Sequence, residues 1–296
     1  MWIYLVLFYG IIKGIREVCK KKALEKNTIA EVLVISTLIS FLLVLPDAPR
    51  ATGLLPMQYL WIAVKSFVIF VGWILGFKAI KKLPISMYGV LDLSRVIFAT
   101  VLGITVLGET PTVPKTIGML LVCGGLLFLK FNPFHRKENS GVKARAAHGE
   151  KMSFNRGSTA WYIFLAFLSC ALNAVSGLLD KVLMKDLTHS QLQFWYMLFL
   201  LVYYVLYVLV TRTKISPTVF KNIWVWLLAI LLIVMDRALF IANGDAASQI
   251  TVMTLIKQSG VIVTILAGKF IFKEKDILHK VLCAIIIIAG IVIGVM

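Results

Sequence analysis

The chain has 296 residues, of which 60% are hydrophobic and 15% charged, and its mean hydropathy is +0.91. A soluble domain of this length would carry far more charge, so the composition excludes the soluble classes and gives an all-α polytopic membrane protein. The formal net charge of +17 would point a soluble protein towards nucleic acid. Here the basic residues stand between apolar runs, where topology-setting charges belong, and no nucleic-acid-binding motif is present.

The opening MWIYLVLFYGIIKGI lacks a basic leader region and a small-residue cleavage site, so it reads as a first spanning helix rather than a removable signal. A bilayer crossing takes roughly 20 mostly apolar residues. Ten such stretches follow one another, at about 2–23, 30–46, 58–79, 84–107, 113–131, 159–183, 190–211, 221–243, 247–272 and 277–296. The short connections DAPRATGLLP, KKLP, GETPTVPK and KEKD carry Pro, Gly or charge. Residues 132–158 differ, being polar, basic and rich in small residues, and read as a flexible linker between a five-helix half at 1–131 and another at 159–296. The four cysteines, Cys19, Cys123, Cys170 and Cys283, all lie in apolar segments without a CxxC pair, which implies free thiols and no metal site.

The two halves resemble one another. A shift of 165 residues lays Ile85 on Ile250, Ser94 on Ser259, Val96 on Val261, Gly103 on Gly268, Glu109 on Glu274, Lys115 on Lys280 and Gly125 on Gly290. A shift of 163 lays Gly14 on Gly177, Glu17 on Asp180, Lys22 on Lys185 and Leu24 on Leu187. An odd number of spans per half inserts the second copy upside down. The expected architecture is therefore two inverted five-helix repeats, which in transporters place the site at the repeat interface near mid-membrane.

The segments LPISMYGVLDLSRVIFATVLGITVLGETPTVPKTIGMLLVCGGLLFL and SQITVMTLIKQSGVIVTILAGKFIFKEKDILHKVLCAIIIIAGIVIGV, with the five-plus-five layout, resemble the drug/metabolite transporter superfamily, and within it the EamA-like family. Many members have a proline after the loop glutamate; Thr110 and Lys275 stand there, with Pro111 one residue later in the first half only. The resemblance implies that helices four and nine contribute to a substrate cavity.

Charged side chains at bilayer depth cost several kcal/mol each by most estimates and usually face a bundle interior or a water-filled cavity. Helix one carries Lys13, Arg16, Glu17 and Lys20 as one stripe. Helix six carries Asn173, Ser176, Asp180 and Lys181, helix four Tyr88, Asp92 and Arg95, and helix nine Thr254, Lys257 and Gln258. Helix eight adds Asp236, Arg237 and Asn243, and helix three Lys65. Asp92 and Arg95 either pair across one turn to fix packing or line a central cavity with Lys257, Asp236 and Arg237. The candidate substrate-binding set is Asp92, Arg95, Lys257, Tyr88, Gln258, Asp236, Arg237, Arg16, Glu17 and Asp180. Lys20 is placed to snorkel to an interface. Gly10 and Gly14, like Gly72 and Gly76, have the small-xxx-small spacing of close helix packing. Glu109 and Glu274 sit in tight turns, as loop packing or helix caps.

Both charge signs with a positive excess suit a zwitterion or an organic anion, such as an amino acid, as the small-molecule substrate. Asp92, Glu17 or Asp236 is placed to carry a coupling proton if burial keeps it neutral. The leading reading is a secondary transporter working by alternating access, without cofactor, as a monomer or homodimer, in a bilayer expected to be a bacterial inner membrane. Flipping of a lipid-linked carrier is the alternative. An intramembrane enzyme is more distant, because HExxH, Asp-rich clusters and GxxxxGK[ST] are all lacking. Lys and Arg concentrate in loops after odd-numbered helices, which places both termini outside; the resemblance implies both termini inside.

Overall fold

The computed structural model describes residues 2–108, 110, 112–130, 156–274 and 277–295. Most of the expected linker, and Glu109, lie outside the described residues. Among the described residues there are twelve α-helices: α1 (Trp2–Lys26), α2 (Ile29–Val44), α3 (Pro56–Lys82), α4 (Ile85–Asp92), α5 (Arg95–Leu107), α6 (Val113–Lys130), α7 (Arg156–Leu183), α8 (His189–Thr211), α9 (Ile223–Asn243), α10 (Ile250–Lys257), α11 (Gly260–Phe270) and α12 (Ile277–Val295). Seven stretches among the described residues are long and apolar enough to cross a membrane, counting α4–α5 and α10–α11 as one each.

The helices start where side chains can satisfy their first amides. Thr28 and Glu31 form a capping box on α2, with the Thr28 amide donating to Glu31 at 2.7 Å and the Glu31 amide to Thr28 Oγ1 at 3.3 Å. Thr188 and Gln191 repeat the arrangement on α8 at 3.0 and 3.3 Å. α5 stops at Gly108, whose φ of 66° is a left-handed cap that a residue with a Cβ seldom adopts.

The stretches expected as continuous spans at 84–107 and 247–272 are each interrupted at matching residues. Around Leu93 and Ser94 the ladder tightens to three-residue bonds: Leu93 donates to Val90, Ser94 to Leu91, Val96 to Leu93 and Ile97 to Ser94, at 3.0–3.1 Å. The same four-bond pattern recurs 165 residues later, from Gln258 to Ile262. Such a 3₁₀ turn inside a helix overwinds it locally and is a common hinge.

Helices of the first half pack chiefly on helices of the second. α1 lies on α9, α10 and α11, and α7 correspondingly on α3, α4 and α5; α2 meets α9 as α8 meets α3, and α4 meets α11 as α10 meets α5. The remaining large contacts, α2 with α8 and α6 with α12, join counterparts to each other. Large apolar side chains such as Leu120, Phe67, Leu206 and Val210 face outward while many polar and charged ones are buried. That inversion suits a hydrocarbon surround.

Small residues set how closely the halves approach. A Cβ on Gly14 would stand 2.6 Å from the Gly260 carbonyl oxygen, so α1 and α11 meet backbone to backbone. Gly76 faces Ser169 Oγ and Tyr88, and Gly72 faces Leu172 and Asn173, with Ser169 donating to the Gly72 carbonyl at 2.7 Å.

Glu274, in the turn after α11, caps the N-terminus of α4 in the other half. The Ile85 amide donates to its carboxylate at 2.5 Å and the Ser86 amide at 3.3 Å; the Ser86 hydroxyl also donates, and Lys280 sits at 3.2 Å. An acid there meets both the orphan amides and the positive end of the helix dipole. Burial opposes ionisation of Glu274, but the Ser86 hydroxyl, Lys280 and the Ile85 amide outweigh it and hold the carboxyl below the usual glutamate range.

Gly14→Val should lower the melting temperature of the purified protein in detergent, since overpacking a tight contact costs about 1–3 kcal/mol. Gly124→Ala, where nothing lies within 4 Å, should be neutral or stabilising by about 0.5–1 kcal/mol. Equal melting curves for the two variants would contradict the packing account. Glu274, whose carboxyl is held low in the folded state, contributes stability that is present above the unfolded value and lost as pH falls through the folded one. The stability gap between wild type and Glu274→Gln should therefore close on acidification below the usual glutamate range, and a pH-independent gap would rule out the charged cap.

Candidate functional site

Between the two halves, beside the two 3₁₀ turns, lies a cavity of about 70 Å³. Three- and four-residue spacings put Lys13, Arg16, Glu17 and Lys20 of α1 on one face, and all four line it. α3 contributes Lys65 and Trp73, α5 Arg95, α7 Asp180, α8 Tyr196, α9 Asp236, and α10 Thr254 and Lys257. Six cationic side chains (Lys13, Arg16, Lys20, Lys65, Arg95 and Lys257) meet three acids (Glu17, Asp180 and Asp236) on its wall.

Most of these charges are already matched. Asp92, where α4 ends, offers one oxygen to Lys13 of α1 and the other to Arg95 of α5, at 2.8 Å to Arg95. Lys13 also donates to Gln258 at 3.3 Å. Glu17 holds Lys20 at 2.6 Å, and the same ammonium lies 4.8 Å from the Phe77 ring centre. Lys65 pairs with Asp180 at 3.0 Å while resting 3.3 Å over the Tyr196 ring. Desolvated ammonium groups gain from ring faces as well as from carboxylates.

Three charges of the cavity wall have no ion-pair partner among the described residues. Arg16 lies 4.8 Å over Trp73 and its Nε has no hydrogen-bond partner. Lys257 lies 5.6 Å from the Tyr9 ring centre. Asp236, on α9, lines the same cavity within the fields of Lys65, Arg16, Asp180 and Lys257.

Of the candidate set, Arg16, Glu17, Tyr88, Arg95, Asp180, Asp236 and Lys257 line this cavity. Asp92 and Gln258 lie beside it, in a smaller space shared with Lys13. Arg237 does not join them. One residue after Asp236 turns about 100° round the helix, and the guanidinium goes instead to Asp47, to Gln193 at 2.5 Å and to Ser190 at 3.3 Å. Lys181 likewise leaves the stripe of α7, bonding the Asn243 and Asp245 carbonyls at 3.0 and 2.9 Å. Lys20 does not snorkel: it is 5% exposed and paired inside. Lys65 and the aromatic platforms were absent from the expected set. A lone lysine inside YLWIAVKSFVIF was the available signal for the first. Nothing in the sequence distinguishes Tyr9, Trp73 or Tyr196 from lipid-facing aromatics.

The pairing has a consequence for stability. Asp92→Asn leaves Lys13 and Arg95 buried around a neutral amide, and breaking a buried pair costs about 3–5 kcal/mol. The expected loss in melting temperature is on the order of 10 °C. Lys257→Gln orphans no carboxylate and should melt close to wild type. The reverse order would refute the assignment of paired and unpaired charges.

The curated proteins include no match to the chain. A solved structure described as "Crystal structure of protein" superposes with a TM-score of 0.69, covering 99% of this chain and 96% of its own at 12% identity. At that identity the likeness speaks for the fold. Residues 1–131, which hold α1–α6, match the model of the EamA-like transporter family. Over those residues the chain is similar to the EamA-like transporter family, and with seven spans long and apolar enough to cross a bilayer among the described residues it is a multi-pass membrane protein.

Proposed function

We propose that the protein is a secondary transporter, a permease or exporter that moves a small polar metabolite, a zwitterion or an organic anion, by alternating access between inverted halves at 1–131 and 159–296. The family supports membrane transport of the drug/metabolite type. The inverted repeat draws support from the 165-residue offset shared by α4–α5 and α10–α11, and from contacts that map onto themselves when the halves exchange. With five spans per half the second half is reversed in the membrane, and the interface then lies near mid-depth.

The observation that carries the substrate reading is the cavity at that interface, where cations outnumber acids and some charges remain unmatched. A cation without a partner in a desolvated site favours a carboxylate or phosphate oxygen over water-like neutral groups. The 3₁₀ turns beside Asp92 and Lys257 are natural points for each half to bend while the apolar exterior stays in lipid.

Counterflow in proteoliposomes tests this. Vesicles loaded with a mixture of amino acids and small organic anions should take up at least one of the same labelled solutes against its concentration gradient. Lys257→Ala should reduce that uptake by about tenfold or more while reconstituting to the same level. Unchanged uptake by Lys257→Ala would remove the cavity from the transport path, and no exchange of any loaded solute would defeat the reading.

A further inference from the structure

Arg16, Asp236 and Lys257 are each more than nine-tenths buried, at 5%, 7% and 7% exposure, and each reaches the same cavity without an ion-pair partner among the described residues. Leaving ionised groups without a direct partner in such a place is costly, and the other charges of the wall are already paired. Lys65 is taken by Asp180, Lys20 by Glu17, and both Asp92 oxygens by Lys13 and Arg95. The residual demand is thus for two anions and one cation. The three groups come from three helices, α1, α9 and α10, and all three line the cavity.

We infer that the transported substrate is a compact metabolite with two anionic groups and one ammonium, the charge pattern of an acidic amino acid, with its anions on Arg16 and Lys257 and its ammonium on Asp236. A neutral zwitterion leaves one cation unmatched. A dicarboxylate without an amine brings further negative charge to a cavity where Asp236 is already unmatched. A simple amine satisfies Asp236 alone and crowds it with Lys65, Arg16 and Lys257. Trp73 behind Arg16 and Tyr9 behind Lys257 hold the two cations facing the cavity, since ring faces attract a cation without neutralising it. The inference rests on the transport reading and narrows its substrate.

Binding to the purified full-length protein in detergent, by thermal shift and calorimetry, tests it with five probes: L-glutamate, L-aspartate, L-glutamine, γ-aminobutyrate and glutarate. L-Glutamate or L-aspartate should bind at least about tenfold more tightly than the three analogues that each lack one charge. Asp236→Asn should abolish the preference for glutamate over glutarate while keeping that over glutamine. Lys257→Gln or Arg16→Gln should weaken glutamate, aspartate and glutarate, while glutamine and γ-aminobutyrate, each with a single carboxylate, should lose less. Glutamine or glutarate binding as tightly as glutamate, with dependence on Lys257, would overturn the three-charge match and leave the broader anion-or-zwitterion reading standing. Equal weakening of glutamate and glutarate by Asp236→Asn would also overturn it. Absence of any Lys257-dependent binding across the five probes would overturn the inference, and failure of counterflow as well would overturn the transport reading.

Discussion

Asp92 sits where α4 ends and gives one carboxylate oxygen to Lys13 of α1 and the other to Arg95 of α5. A carboxylate at this depth cannot rely on water, and neither cation can stand alone there without a large desolvation cost. The triad therefore fixes three helices at once, at the point where the α4–α5 span overwinds. Lys13 reaches further, to Gln258, next to the equivalent turn of the other half. The interaction thus ties one 3₁₀ turn to the other, beside the cavity.

The same economy governs the approach of the halves. α1 crosses α11 at Gly14 and Gly260 with no side chain between the backbones. In hydrocarbon, burial of apolar surface gives little drive for association, so close packing and polar contacts have to supply it. Backbone contact brings the charged stripe of α1 within reach of α4 and α10. Glu274 then closes one end by capping α4 from across the interface. Paired charges, glycine crossings and a cap from the opposite half together make a scaffold in which each half completes the other.

Much of this was legible in the sequence, for physical reasons that also explain what was not. The stripe Lys13, Arg16, Glu17, Lys20 could be read because helical spacing and the cost of a charge in lipid leave one place for it. The 165-residue correspondence laid the two turns in register, but their overwinding was not visible: Leu93, Ser94, Gln258 and Ser259 are ordinary residues for a helix, no Pro marks either turn, and a Gly, Gly260, stands in the second only. Arg237 shows the limit of grouping by proximity in sequence. It adjoins Asp236, yet 100° of helix rotation carries it to Asp47, in the short 3₁₀ helix Leu45–Arg50 after α2, whose position no periodicity could give. The choice of partner for each buried charge was equally out of reach, because it depends on which helices cross, and only a tertiary structure ranks the alternatives.

That choice separates scaffold from site. A transporter cavity with every charge paired internally would be stable and would have nothing left for a solute; one with every charge free would not hold its helices together. Here Lys65–Asp180, Lys20–Glu17 and the Asp92 triad satisfy most of the wall, and each spans helices or reinforces one. Arg16, Lys257 and Asp236 are left over, two of them steadied by aromatic faces that orient a cation without cancelling its charge. On the transport reading, a solute that matches this remainder supplies the missing pairs. Its binding energy then becomes available to draw the two hinged halves around it, because closure brings charges together that repel or stand unmatched in its absence.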